Sequence, residues 1–185
     1  YNGILSDPTF SVNSGFYNQG FSLNITHADP TAKIIYTIDG SEPSLENLNG
    51  TTYFYKNGYQ EFPENPDGTL VENKFETLNY TAPLEINDRT PLPNKISIIP
   101  KAFFNYQYYI PTAPILKGTV IRAKVLKDGA LSSKTITKNY YITPQAEKLF
   151  TLPVVAINLD ENLLFEYENG INVPGKDFDD WRALN

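Results

Sequence analysis

The chain has 185 residues, carries 15 Lys and Arg against 21 Asp and Glu for a formal net charge of −6, and contains no cysteine, no methionine and one histidine. These counts exclude a disulfide framework, a thiolate nucleophile and a Cys/His zinc site, and they leave His27 as the one imidazole base. The acidic balance also argues against nucleic-acid binding, because Arg122, Lys124 and Lys127 are separated by apolar residues where phosphate neutralisation needs a clustered basic surface.

Hydrophobic periodicity is of the two-residue kind through most of the chain. Phe21, Leu23 and Ile25 alternate with Ser22, Asn24 and Thr26, the pattern of a half-buried strand. Lys33 to Asp39 reads as a second strand, apolar on both faces and so central, stopped by Asp39-Gly40. The stretch 47–79 is polar and aromatic, too long for an ordinary connection, with a small hairpin expected at Asn57-Gly58. Thr81 to Asn87 carries Leu84 and Ile86 in alternation. Thr119 to Lys127 sets Ile121, Ala123 and Val125 against Val120, Arg122 and Lys124, and Lys127-Asp128-Gly129-Ala130 reads as the turn to a return strand over Ser133 to Ile142. Leu152 to Leu159 is a nearly continuous apolar run, expected as a strand buried on both faces. Asp160 can then cap a short helical turn through Phe165.

Several short strands with turn signals, and no helical period before residue 144, predict an all-β fold, an immunoglobulin-like antiparallel β-sandwich with a long aromatic insertion and a short irregular C-terminal extension. A sandwich of that type needs only about 100 residues. The surplus lies in the insertion, about 47–79, and in 144–185, which is too short to build its own core and reads as the start of an incomplete second domain after a sandwich over 1–143. The chain starts with Tyr1 rather than Met, so its ends read as those of a piece of a longer protein. No apolar run approaches the ~20 residues a bilayer-spanning helix requires, so no membrane insertion is expected.

Asp39, Gly40 and Pro43 are expected to form a structural turn, Asp39 accepting backbone N–H bonds and Gly40 supplying an unusual φ; the competing reading, a calcium site with Ser41 and Glu42, lacks further acidic ligands. His27 with Asp29 and a serine could be written as a charge relay, but no Gly-x-Ser-x-Gly turn accompanies them. Glu166, Glu168, Asp177, Asp179 and Asp180 read as a solvated acidic face. The best binding candidates are Tyr53, Tyr55 and Tyr59 in the insertion, with Tyr106, Tyr108 and Tyr109 in a second irregular stretch. Exposed rings there could stack on sugars, whereas packed rings would shield the sheet. Three sequons, at Asn24, Asn49 and Asn79, match the glycosylation pattern. No catalytic residue, metal ligand or cofactor is expected.

Pro8-Thr9-Phe10-Ser11, Ser14-Gly15-Phe16-Tyr17, Ile35-Tyr36-Thr37-Ile38-Asp39-Gly40-Ser41-Glu42-Pro43-Ser44, Gly118-Thr119-Val120-Ile121-Arg122-Ala123 and Tyr140-Tyr141-Ile142 resemble the C-terminal domain of chitobiases and β-hexosaminidases. That resemblance implies an immunoglobulin-like sandwich without catalytic residues of its own, appended to exported proteins. Thr151-Leu152-Pro153-Val154-Val155, Tyr167-Glu168-Asn169-Gly170-Ile171-Asn172-Val173 and Gly175-Lys176-Asp177-Phe178-Asp179-Asp180-Trp181 resemble the opening of spore-coat-protein-H-like kinases, whose nucleotide and metal residues lie farther downstream. Together the two resemblances imply a non-catalytic spacer, docking or interaction module of an exported bacterial protein, extracellular or at the cell surface. Its partner would be a downstream kinase-like domain of the same polypeptide. The alternative is a carbohydrate-binding module that recognises surface glycans through Tyr53, Tyr55, Tyr59, Tyr106 or Tyr108.

Overall fold

A computed structural model describes residues 3–56, 58–60, 62, 64, 67–94, 111–146 and 149–184. The chain divides into two compact units, one comprising Tyr1–Gly50, Phe75–Pro91 and Leu116–Leu159, the other Thr51–Lys74, Leu92–Ile115 and Asp160–Asn185. The first unit therefore runs on to Leu159. Residues 51–74 of the insertion and the tail from Asp160 onward, held apart in the sequence reading, fall in the same second unit, whereas 144–159 stay with the first.

The first unit is built on β10 (Thr119–Leu126), which pairs antiparallel with both β5 (Lys33–Thr37) and β11 (Ile136–Ile142). Its alternation has the expected consequence: Ile121, Ala123 and Val125 are buried while the intervening side chains are only partly covered. The turn after β10 closes with the Ala130 N–H donating to Lys127 O at 3.2 Å, and Gly129 takes φ +77°, a conformation that a Cβ would disfavour. Strand β2 (Gly15–Tyr17) extends the sheet parallel to β11, and β8 (Leu78–Asn79) closes the far edge beside β5, giving the order β2-β11-β10-β5-β8. With neighbours on both sides and Ile35 and Thr37 buried, β5 is an interior strand, as its apolar faces predict.

The expected single strand around Phe21 to Thr26 is divided between two small pairings. Strand β3 (Phe21–Leu23) pairs with β9 (Leu84–Ile86), and β4 (Ile25–Thr26) pairs with β1 (Thr9–Phe10). The changeover lies at Asn24, whose N–H donates to Ser11 Oγ at 2.9 Å while its carbonyl accepts from Ser11 N at 2.9 Å. Leu23, Ile25 and Ile86 from these pairs meet Ile121, Ala123, Tyr140 and Ile142 from the large sheet in one buried cluster. Two layers of strands closing on one apolar core make an immunoglobulin-like β-sandwich. At its centre Tyr140 lies edge-on to Phe21, centroids 5.4 Å apart, and its hydroxyl donates to Val12 O at 2.9 Å, which satisfies the one polar atom the ring buries.

One expected strand is absent. Leu152 to Leu159 has neither strand nor helix, and Leu152, Val155 and Ile157 are 78%, 83% and 82% exposed. Among the described residues no strand pairs with the run, so its apolar character has no sheet to enter.

In the second unit, β6 (Thr51–Lys56) and β7 (Leu70–Phe75) form a two-stranded sheet; the small hairpin expected at Asn57-Gly58 falls on Asn57, which lies outside the described residues. Two helices follow, α1 (Glu161–Phe165) and α2 (Gly175–Leu184). The Tyr167 N–H donates to Phe54 O at 2.8 Å and so fixes the connection between the helices to β6.

Candidate functional site

The turn after β5 uses its polar groups on itself. Asp39 Oδ1 accepts from the Ser41 N–H at 2.9 Å and the Ser41 hydroxyl at 2.5 Å, and Oδ2 accepts from the Glu76 N–H at 2.9 Å. Thr37 Oγ1 donates to Ser41 O at 2.6 Å, and Pro43 is fully buried behind them. A carboxylate with both oxygens facing hydrogen-bond donors presents no lone-pair array to a cation, so the structural turn is the reading this geometry supports. Gly40 has φ +90°, and a Cβ there would lie 2.9 Å from Leu159 O, so backbone conformation and close approach both require glycine. Beside the turn, Arg122 donates to Gly40 O at 2.7 Å and to Glu42 Oε2 at 2.5 Å, and Thr135 also donates to Glu42.

His27 meets a serine, but in the wrong sense for catalysis. Ser6 Oγ lies 2.9 Å from Nε2, while the Asp29 N–H lies 3.1 Å from Nδ1 and Asp29 O is farther, at 3.3 Å. A backbone N–H can only donate, so Nδ1 accepts, and in the neutral ring Nε2 carries the proton and donates to Ser6. A ring donating to the hydroxyl cannot also remove its proton. The Asp29 carboxylate is turned away, accepting from Lys127 Nζ at 2.6 Å and from the Thr31 N–H and hydroxyl at 2.9 and 2.7 Å. These bonds, the Lys127 one foremost, hold it well below the usual carboxylate range.

The tyrosines expected as a sugar platform are interior in the second unit: Tyr53, Tyr55 and Tyr59 are 3%, 6% and 9% exposed. The reason is strand alternation, since β6 turns Tyr53 and Tyr55 inward and Phe54 outward. The Tyr53 hydroxyl donates to Glu161 Oε1 and accepts from Asn73 Nδ2 at 2.8 Å; Asn73 also donates to Glu161, at 2.5 Å. Burial first, and the Glu161 carboxylate second, push the Tyr53 hydroxyl far above its ordinary value. Burial likewise raises Tyr55 and Tyr59. Buried rings offer no face to a pyranose. Tyr106, Tyr108 and Tyr109 lie outside the described residues.

A cluster that sequence reasoning missed surrounds Lys56, whose side chain is 6% exposed. Its ammonium donates to Asp67 at 2.9 Å and to Asp179 Oδ2 at 2.5 Å, and lies 5.1 and 5.9 Å from the ring centres of Tyr59 and Tyr167. Arg182 Nη2 reaches Asp67 Oδ2 at 3.1 Å, and the Tyr167 hydroxyl donates to Asp179 Oδ2 at 3.0 Å. Burial alone would raise the Asp67 carboxyl, but the bonds from Lys56 and Arg182 outweigh it and hold the group below its usual value. The Tyr167 hydroxyl is pushed up to about 12, by burial and then by its bond to Asp179. Asp179 therefore does not belong to the solvated face expected of the tail, whereas Asp180, paired with Lys176, is open to water. The lone signal in the sequence was a lysine closing a tyrosine-rich strand. Among the described residues no group of three or more His, Asp or Glu could hold a metal ion, and no helix is long and apolar enough to cross a membrane.

Comparison with known proteins returns one family. The model of the Fn3-associated family (fibronectin type III associated) matches residues 23–140, from the end of β3 into β11 and across the insertion. No curated protein and no solved structure matches the chain. The matched family is a non-catalytic, accessory type of β-sandwich module, in keeping with the two-layered core and with an Asp39 turn that satisfies itself. With more than half of its length matched, the chain belongs to the Fn3-associated family.

Proposed function

We propose that this accessory sandwich is a spacer and docking module of an exported multidomain protein, and that its partner is a further domain of the same polypeptide. The observation that carries the reading is the run Leu152 to Leu159: nearly continuously apolar, exposed from Leu152 to Ile157, and held at its end where the Leu159 carbonyl lies against Gly40. An apolar run that stays in water is unfavourable by about 25 cal/mol per Å² relative to its burial, and a sheet covered on both faces would bury both sides of it. The resemblance of the tail to the opening of spore-coat-protein-H-like kinases supports a kinase-like identity for that domain. Export to the cell surface follows from the chitobiase-type resemblance of the sandwich.

Hydrogen exchange tests the reading. Amides of 152–159 exchange fast in this chain alone and slowly in the longer polypeptide; fast exchange in both overturns it. ATP turnover belongs to the longer polypeptide, and turnover by this chain alone would contradict the accessory role. The glycan reading rests on exposed aromatic surface, which in the second unit is offered by Trp181, 61% exposed and 6.2 Å from Phe178. Glycan-array binding by the chain that is lost in Trp181→Ala would favour that second reading.

A further inference from the structure

The Lys56 cluster holds the parts of a condensation reaction. Lys56 ends β6, Asp179 lies in α2, and the two are 123 residues apart in sequence with Nζ 2.5 Å from Oδ2. The Lys56 side chain is 6% exposed and that of Asp179 14%, and the Tyr59 and Tyr167 rings flank the amine. Asp179 Oδ1 is buried and makes no hydrogen bond, with Arg182 Nη2 3.4 Å from it. An ionised carboxylate oxygen left so is costly, and an amide oxygen in the same place is much less so. Asp67 differs: its Oδ1 accepts from the Gln60 and Gly68 N–H groups at 3.0 and 3.1 Å, and its side chain is 37% exposed. It is a fixed, ionised carboxylate with access to water, touching the same ammonium.

We propose that Lys56 and Asp179 join as an intramolecular isopeptide bond that staples β6 to α2. Asp67 takes a proton from the Lys56 ammonium, and the freed amine attacks Asp179 Cγ. Negative charge gathers on Oδ1, where Arg182 faces it, and Oδ2 departs with the hydrogen bond from Tyr167 upon it. The Nζ–Cγ bond forms and the Cγ–Oδ2 bond breaks. Two protons leave the ammonium, one returned through Asp67, and depart with Oδ2 as one water, so charge and atoms balance with no co-reactant. Well-oriented groups held in contact can reach effective molarities on the order of 10⁵ M or more. The product replaces a buried ion pair with a neutral amide.

Intact mass spectrometry of the purified chain tests this. The wild-type chain is expected to be lighter than its sequence by one water, and a protease digest yields one branched peptide containing both Lys56 and Asp179. Lys56→Arg and Asp179→Ala have their full sequence masses. Asp67→Ala keeps both reacting groups and loses the water more slowly, by tenfold or more. Asp179→Asn, with an amide as the leaving group, loses ammonia instead. A wild-type chain at full mass, with the two peptides recovered separately, overturns the proposal. So does a water loss that persists in Lys56→Arg, which would place the dehydration elsewhere.

Discussion

Replacing Asp39 by alanine removes three accepted hydrogen bonds at once, from the Ser41 N–H, the Ser41 hydroxyl and the Glu76 N–H. Hydrogen bonds to a charged group contribute about 1.5–3 kcal/mol each, and their sum overstates the loss because water reaches part of the emptied site. Ser41 is buried at 2% exposure, so its donors are the ones water replaces least well. The expected destabilisation of the first unit is about 3 kcal/mol, read as a lowered urea midpoint with unchanged slope. Asp39→Asn separates the bonds: its Oδ1 can serve Ser41 as before, but its amide nitrogen cannot accept from Glu76, so about 1 kcal/mol is expected. Hydrogen exchange at the Glu76 amide should quicken in both variants. An Asp39→Ala midpoint within about 0.5 kcal/mol of wild type would refute the turn as a stabilising latch.

Gly40→Ala places a Cβ 2.9 Å from Leu159 O at φ +90°, and the left-handed penalty alone is about 1–2 kcal/mol, so thermal melting should show a loss of at least that size. Tyr140→Phe deletes the bond to Val12 O while keeping the ring, and about 1–2 kcal/mol is expected by urea titration. For the second unit the sign follows from Asp67, whose folded-state pKa is depressed. Its contribution is present above the ordinary carboxylate value near 4 and is lost as the pH falls through the lower folded value. Asp67→Asn should flatten that acid limb, and an unchanged limb would remove Asp67 as its cause.

How much of this was legible depended on whether the partner of a residue lay close in sequence. The β10 alternation, the turn at Gly129 and the return strand β11 are local, and the residues alone predict them. Asp39 and Gly40 were recognisable as a turn, but the Glu76 amide and the Leu159 carbonyl that complete it come from distant segments. The tyrosines of β6 show the limit most plainly. Period two places Tyr53 and Tyr55 on one face, but it does not say which face is covered, and the Glu161 that bonds Tyr53 is 108 residues away. The run Leu152 to Leu159 fails the opposite way, since a continuous apolar stretch specifies a sheet without specifying that the sheet is present.

The same distances explain why a covalent link would matter in the second unit more than in the first. The sandwich holds its segments by interlocked strand pairs around a shared core, whereas β6 and α2 are held by buried charges and ring edges. Buried ion pairs are a weak source of stability, because desolvation offsets most of the attraction. A bond closing a loop of 123 residues acts instead on the unfolded chain, and the loop-closure relation puts that constraint at about 5 kcal/mol. Among the described residues the second unit has a two-stranded sheet and two helices, a smaller set of paired strands than the five-stranded sheet of the first unit, so such a constraint would add more to it. If the link forms, Lys56→Arg should lower the second unit's urea midpoint far more than loss of a surface ion pair would, and should leave that of the first unit in place. Equal shifts in both units, or none in either, would contradict a staple confined to β6 and α2.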